Sequence, residues 1–278
     1  DSNPGRVTTA LCGVGRNIAH NLALMGTEAR MLTAYGDDLY GHQIAASCSE
    51  LGIDISGALR VTGEATSTYL YIADERGEMA LAISDMGICD RITPAYLAEH
   101  LNQLNNAQVV VADCNIPEES LRYLAGNCTA PIFVDPVSTV KAEKLRPILH
   151  SIHTLKPNRL EAELLSGVPI RAKADVAKAA DALLEKGVHR LFISMGGDGI
   201  YAATETQRLW LPNIPGNMVN TTGCGDAVTA VLVWAYLEGM DLEETTRAAL
   251  AAGSIAMESR ETINPLMCED ALRQRMKQ

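Results

Sequence analysis

Apolar residues along the chain fall into two kinds of run. Residues 17–25 (NIAHNLALM) carry them at helical spacing and stop at Gly26, and residues 40–51 repeat the pattern and stop at Gly52. Between them, residues 29–34 (ARMLTA) read as a strand. Residues 68–73 (TYLYIA) and 78–83 (EMALAI), joined by the turn residues DERG at 74–77, predict an antiparallel hairpin outside the main sheet. Alternation of strands and helices then resumes. Residues 108–112 (QVVVA) predict a strand followed by a helix from Pro117, and 131–134 (PIFV) a strand ending at Asp135. Residues 153–155 lead into a helix bearing Glu161 and Glu163, and 174–186 form a helix before the strand 190–194 (RLFIS). Residues 201–203 and 208–211 predict a second antiparallel pair, and two helices from about Asp226 and Leu242 close the chain. Short, continuous apolar strands set between helices imply a largely parallel sheet covered on both faces. In such sheets ligands bind beyond the carboxyl ends of the strands, so the polar residues just after strands are the ones to weigh.

Composition narrows the class. The chain has 278 residues, 47% of them apolar, enough for one large domain with a small appendage. No apolar run is long enough for a membrane span. The opening DSNPGRVTTAL shows no signal segment and enters a strand-like run directly, which reads as a cut start. A net charge of -11 with no basic block argues against a nucleic-acid or membrane-surface partner. The seven cysteines have neither disulfide-framework nor metal-cluster spacing, which points to reduced thiols and a cytoplasmic setting.

Four segments carry candidate chemistry. In Gly223-Cys224-Gly225-Asp226, two glycines and an aspartate open an apolar helix. Backbone N–H groups at a helix start have no intrahelical acceptor and favour negative charge, so the segment suits a transferring phosphoryl group with Asp226 as base beside it. It also suits a plain helix cap by Thr222 or Asp226. Cys12-Gly13-Val14-Gly15-Arg16-Asn17 opens the first helix. It reads as the start of a dinucleotide fingerprint with Asp37 downstream, but the third glycine position falls on Ala19 or His20. It reads equally as a small-residue loop letting Asn17 reach a hydroxyl-rich ligand, or as Asn17 capping a helix. Lys156-Pro157-Asn158-Arg159-Leu160-Glu161 puts an amide and a carboxylate three apart, fit for hydrated Mg²⁺ beside phosphates or for a capping box. Ser194-Met195-Gly196-Gly197-Asp198-Gly199 follows a strand and is either a turn or a backbone surface for a triphosphate.

Taken in this order, the four segments resemble the ribokinase-like (PfkB) family of sugar and nucleoside kinases over nearly the whole chain. The family's GGxxxN substrate loop corresponds to Cys12, Gly13 and Asn17, its N-x-x-E motif to Asn158 and Glu161, its glycine turn to Gly196–Gly199, and its G-A-G-D signature to Gly223–Asp226. The resemblance implies a three-layer α/β/α sandwich in a single domain over 1–278, with a mainly parallel sheet and a small β lid at about 58–85. It implies ATP as donor and Mg²⁺, with a monovalent cation in some relatives. Asp226 would be catalytic base, with Gly223, Cys224 and Gly225 as anion hole. Cys12, Gly13 and Asn17 would bind substrate, Asn158, Ser194, Gly196 and Gly199 would bind ATP, and Glu161 would hold the metal. Many relatives are homodimers through the lid. Segments GVGRNIAHNLALMG, ADCNI, FVDPVS and TLKPNRLEAELLSG are most similar to a branch acting on the 5′-hydroxyl of a nucleoside. Two departures stand out: Cys12 and Cys224 replace small residues of the family pattern, and the family's first strand, with its acidic sugar-binding residue, has no counterpart. An NAD-dependent oxidoreductase and a catalytically silent nucleoside binder are the readings from other classes.

Overall fold

The computed structural model describes residues 5, 7–73 and 79–278. Its helices are α1 (Val14–Leu24), α2 (Leu39–Glu50), α3 (Pro94–Glu99), α4 (Leu101–Asn105), α5 (Glu118–Asn127), α6 (Thr139–Ala142), α7 (Arg159–Ser166), α8 (Lys173–Glu185), α9 (Cys224–Leu237), α10 (Leu242–Ala256) and α11 (Glu269–Arg275). Its strands are β1 (Ala34–Gly36), β2 (Leu59–Val61), β3 (Thr68–Ala73), β4 (Met79–Asp85), β5 (Val110–Asp113), β6 (Ile132–Asp135), β7 (Thr154–Leu155), β8 (Arg190–Ser194), β9 (Ile200–Thr204) and β10 (Arg208–Leu211).

Six strands form the main sheet in the order β10-β9-β8-β7-β6-β5. Strands β5 to β8 run parallel, while β9 and β10 add on antiparallel. Alternate side chains along each strand go to opposite faces, and the core divides accordingly. Ile132, Val134, Leu191 and Ile193 join one core with residues of α3, α5, α7 and α8. Phe133, Phe192, Ile200 and Ala202 join another with α1, α9, α10 and α11. The result is a three-layer α/β/α sandwich. Helix α9 is buried along Ala227–Ala235, so it is apolar on every side: α1 and α10 both pack on it.

Strands β3 and β4 form a separate two-stranded sheet, as the sequence pattern indicates, with a register shift at Ile72/Ala73; the connecting residues 74–77 lie outside the described residues. Three expectations need correction. The strand expected at 29–34 lies further on: residues 31–33 are not strand, and only Ala34 of that run enters one. Arg30 makes one bridge to Asp54, and the strand proper is β1, paired in parallel with β2. The strand-like run at 7–11 has no strand structure. A third, short helix, α11, follows the two expected at the end of the chain.

Candidate active site

Parallel β5, β6, β7 and β8 bring their carboxyl ends to one edge, where Asp113, Asp135, Lys156 and Ser194 follow in turn. Helices α1 and α9 point their first turns at the same edge. Neither has a side-chain cap: their N-cap residues are Gly13 and Gly223. The cap reading of the 223–226 segment therefore does not hold. Gly223 adopts φ 85°, and a Cβ there would collide with the carbonyl oxygen of Thr262, so only glycine fits. The N–H groups of Gly223 and Gly225 have no backbone acceptor among the described residues, whereas that of Cys224 donates to the Thr221 carbonyl at 3.2 Å. The Cys224 thiol lies 3.8 Å from the Gly253 carbonyl, turned toward α10, and burial raises its pKa.

Asp226 sits in the first turn of α9. Asn17, one turn into α1, donates its Nδ2 to Asp226 Oδ2 at 2.7 Å across 209 residues of sequence. Asn17 is buried and its Oδ1 has no hydrogen-bond partner among the described residues, leaving one acceptor unsatisfied there. Its side chain is thus not a helix cap. Burial pushes the Asp226 carboxyl up to about 6, with Asp135 and Asp113 raising it further and Asn17 and Lys156 opposing them. Cys12 is exposed at the mouth of this loop, its thiol pKa raised by partial burial and by Asp226, against the lowering charge of Arg16. Arg16 ties the loop down, donating to the Leu11 carbonyl at 2.9 Å and to Ser47 Oγ of α2 at 2.7 Å.

Beneath the start of α9 lies a buried ion pair, Lys156 Nζ to Asp135 Oδ2 at 3.1 Å. Thr229 Oγ1 donates to the same Asp135 oxygen at 2.9 Å. Burial alone would depress the Lys156 ammonium, but Asp135, Glu161 and Asp226 outweigh it and its proton affinity is raised. A Cβ on Gly225 would meet Lys156 Nζ at 3.2 Å, so the positive charge lies directly below the glycine turn.

Asn158 and Glu161 form a reciprocal capping box on α7: Asn158 N donates to Glu161 Oε2 at 2.8 Å and Glu161 N to Asn158 Oδ1 at 3.0 Å. The capping reading of that motif is therefore realised. Glu161 is buried with its pKa raised by burial, and its Oε1 makes no hydrogen bond among the described residues. One carboxylate oxygen is thus free for a water of a hydrated Mg²⁺, which needs only one or two carboxylates besides phosphates. Among the described residues no three His, Cys, Asp or Glu side chains cluster with metal-holding geometry. Asn158 bridges to Ser194, whose N–H donates to the Pro157 carbonyl at 2.9 Å. The Gly196–Asp198 turn follows, closed by Met195 N to the Gly199 carbonyl and held by Asn213 Nδ2 on the Gly196 carbonyl at 2.8 Å.

The structure thus joins Asn17 to Asp226 and Asn158 to Ser194, and lines the four expected segments along one edge. Sequence reasoning missed Asp113, Asp135, Lys156 and Arg16. The first two stood at the ends of apolar strands, where polar residues merit attention, and Lys156 stood inside a quoted motif. The dinucleotide reading fails on two counts: no described strand precedes the Gly13 loop, and Asp37 instead accepts from Gly63 N at 3.1 Å.

The family model for pfkB family carbohydrate kinases matches residues 1–268. The chain is 46% identical over 267 residues to the pseudouridine kinase of Escherichia coli K12, covering 95% of this chain and 85% of that protein. It is 37% identical over 271 residues to the uncharacterized sugar kinase YeiI of the same organism, covering 97% and 75%. Among solved structures, ribokinase of Thermotoga maritima superposes with a TM-score of 0.86 at 23% identity, over 100% of this chain and 93% of that one, a likeness of fold.

Proposed function

The chain belongs to the pfkB family of carbohydrate kinases, and from that premise we propose that it transfers a phosphoryl group from ATP to the 5′-hydroxyl of a nucleoside, pseudouridine, with Asp226 as base. The observation that carries this reading is the pair Asn17–Asp226. It sets a partly buried carboxylate, its pKa pushed up to about 6, against an amide donor at 2.7 Å, in the first turn of a helix opened by glycines and without a side-chain cap.

In this reading the acceptor hydroxyl lies beside Asp226, which takes its proton as the oxygen attacks in line. The unengaged N–H groups of Gly223 and Gly225 receive charge developing on the phosphoryl oxygens, and the Lys156 ammonium beneath them adds a buried positive charge. Asn17 Oδ1 accepts from a substrate hydroxyl, and Cys12 and Gly13 shape the entrance to that subsite. Glu161, with Asn158, would hold hydrated Mg²⁺, which neutralises phosphate charge when bound. Ser194, Gly196 and Gly199 form the backbone surface for ATP.

The hairpin β3–β4 serves as lid and as a homodimer contact. Cross-strand pairs Leu70/Ile83 and Ile72/Leu81 share one face, and each of the four side chains is more than half exposed. A lone two-stranded hairpin with such a face is marginal without a partner. The seven cysteines are all unpaired thiols, which supports a reducing, cytoplasmic setting. No described helix is long and apolar enough to cross a membrane. A sugar such as ribose or fructose is the second acceptor reading, favoured by the likeness to YeiI. Coupled ADP release with Mg-ATP and pseudouridine, uridine, ribose, fructose and adenosine separates them. Turnover of pseudouridine is expected, and turnover of a sugar alone would replace the nucleoside assignment.

A further inference from the structure

Helix α1 presents Asn17 to Asp226, yet its own sequence supplies no cap. Its N-cap is Gly13, at φ 132° and ψ 132°, without any side-chain bond to the first turn. The missing acceptor comes from the sheet. Asp113, the last residue of β5, accepts from Gly15 N through Oδ2 at 3.1 Å, across 98 residues of sequence. Its other oxygen accepts from Asn115 N at 2.8 Å, which fixes the carboxylate in an Asx turn at the strand end. A carboxylate at a helix N-terminus is favoured by both the orphan N–H groups and the helix dipole. The approach is close: a Cβ on Gly15 would meet Asp113 Oδ2 at 3.2 Å.

We propose that Asp113 is a positioning residue for the acceptor site: from the end of β5 it clamps the first turn of α1 and so holds Asn17 against Asp226. Gly15 lies two residues before Asn17, so a shift of this turn moves the Asn17 amide directly. Asp113 also acts on Asp226 at a distance. The charged and titratable groups facing Asp226 are Asp113 at the end of β5, Asp135 at the end of β6 and Lys156 after β7, with the Cys12 thiol near the loop mouth and the Cys224 thiol on its own helix start. Asp113 and Asp135 raise the proton affinity of Asp226 and Lys156 lowers it. Removing the Asp113 charge therefore leaves Asp226 easier to deprotonate.

The test rests on the acceptor reading above and uses the whole chain. Asp113→Asn keeps an acceptor for Asn115 N but forfeits the carboxylate that meets Gly15, and Asp113→Ala removes both contacts. Steady-state kinetics with varied acceptor and varied Mg-ATP, together with the pH dependence of kcat/KM, are compared with wild type. The expected result for D113N is an acceptor KM raised about tenfold, as for loss of one charge-assisted bond, with the Mg-ATP KM little changed. Its acid limb should move to lower pH, and D113A should show the larger rise in acceptor KM. Unchanged acceptor KM and an unmoved acid limb in D113N would overturn the proposal. So would an equal rise in both KM values, the mark of a general loosening. If wild type turns over no acceptor in the panel, the acceptor reading fails on its own. Calorimetric titration of pseudouridine into wild type and D113N then decides the clamp, with equal affinities overturning it.

Discussion

Burial raises the proton affinity of Asp226, and the same burial makes its charged form costly to the fold. The carboxyl titrates near 6 in the folded protein against an ordinary 3.8, so the native state holds the proton more tightly than the unfolded chain. Stability from this group is complete below about pH 4 and is lost as pH rises through about 6, by at most about 3 kcal/mol. Asp226→Asn should remove that loss: at pH 8 the variant should melt several degrees above wild type in a thermal scan, while at pH 4 the two should converge. Wild-type kcat/KM should rise with pH through a limb near 6 as the base deprotonates. A profile flat from pH 5 to 8 would remove Asp226 from the role of base. Gly223→Ala, which drives a Cβ into the Thr262 carbonyl at a positive φ, should lower the unfolding free energy by about 2 kcal/mol or more, read from the denaturant midpoint.

Among the elements, α7 and the β3–β4 hairpin each make a separable claim. The capping box of α7 uses Asn158 and Glu161 structurally, and a metal role asks more of Glu161 than of its helix. Glu161→Gln keeps an oxygen for the Asn158 N–H, so stability should fall by less than about 1 kcal/mol, while turnover falls at least tenfold and needs more Mg²⁺. Equal Mg²⁺ dependence in both proteins would leave Glu161 as a cap only. For the hairpin, Ile72→Glu and Leu81→Lys, which face each other across the strands, should convert a dimer to a monomer by sedimentation with the circular dichroism unchanged. A wild type that is monomeric at micromolar concentration would exclude that contact. The elements with strong patterns were legible: α2, α8, β8 and β10 match the expected spans to within a residue or two. The weak ones were not. Helices α3 and α4 are six and five residues long and break at His100, and β1 and β2 have three residues each, too short for a period to show.

For the whole molecule, the order of four motifs along the chain was enough to indicate the sandwich, because each motif sits after a strand or at a helix start and the βα rhythm fixes which edge they share. What the sequence could not supply is what crosses that edge. The bonds Asn17–Asp226, Gly15–Asp113 and Thr229–Asp135 span 209, 98 and 94 residues, and no local pattern encodes them. Lys156 is similar: a lysine beside a proline reads as surface until Asp135 and the glycine turn above it are in place. The fold thus converges two helix starts that lack a cap from their own N-cap residues and two acidic strand ends on one spot, where Asp226 lies between Asn17 and a buried positive charge. The most direct test of that account is coupled ADP release from Mg-ATP and pseudouridine, measured in parallel for wild type and D226N. The account predicts turnover by wild type and a loss of about 10²–10⁴-fold in kcat for D226N with ATP binding retained. Turnover by D226N close to that of wild type would contradict it.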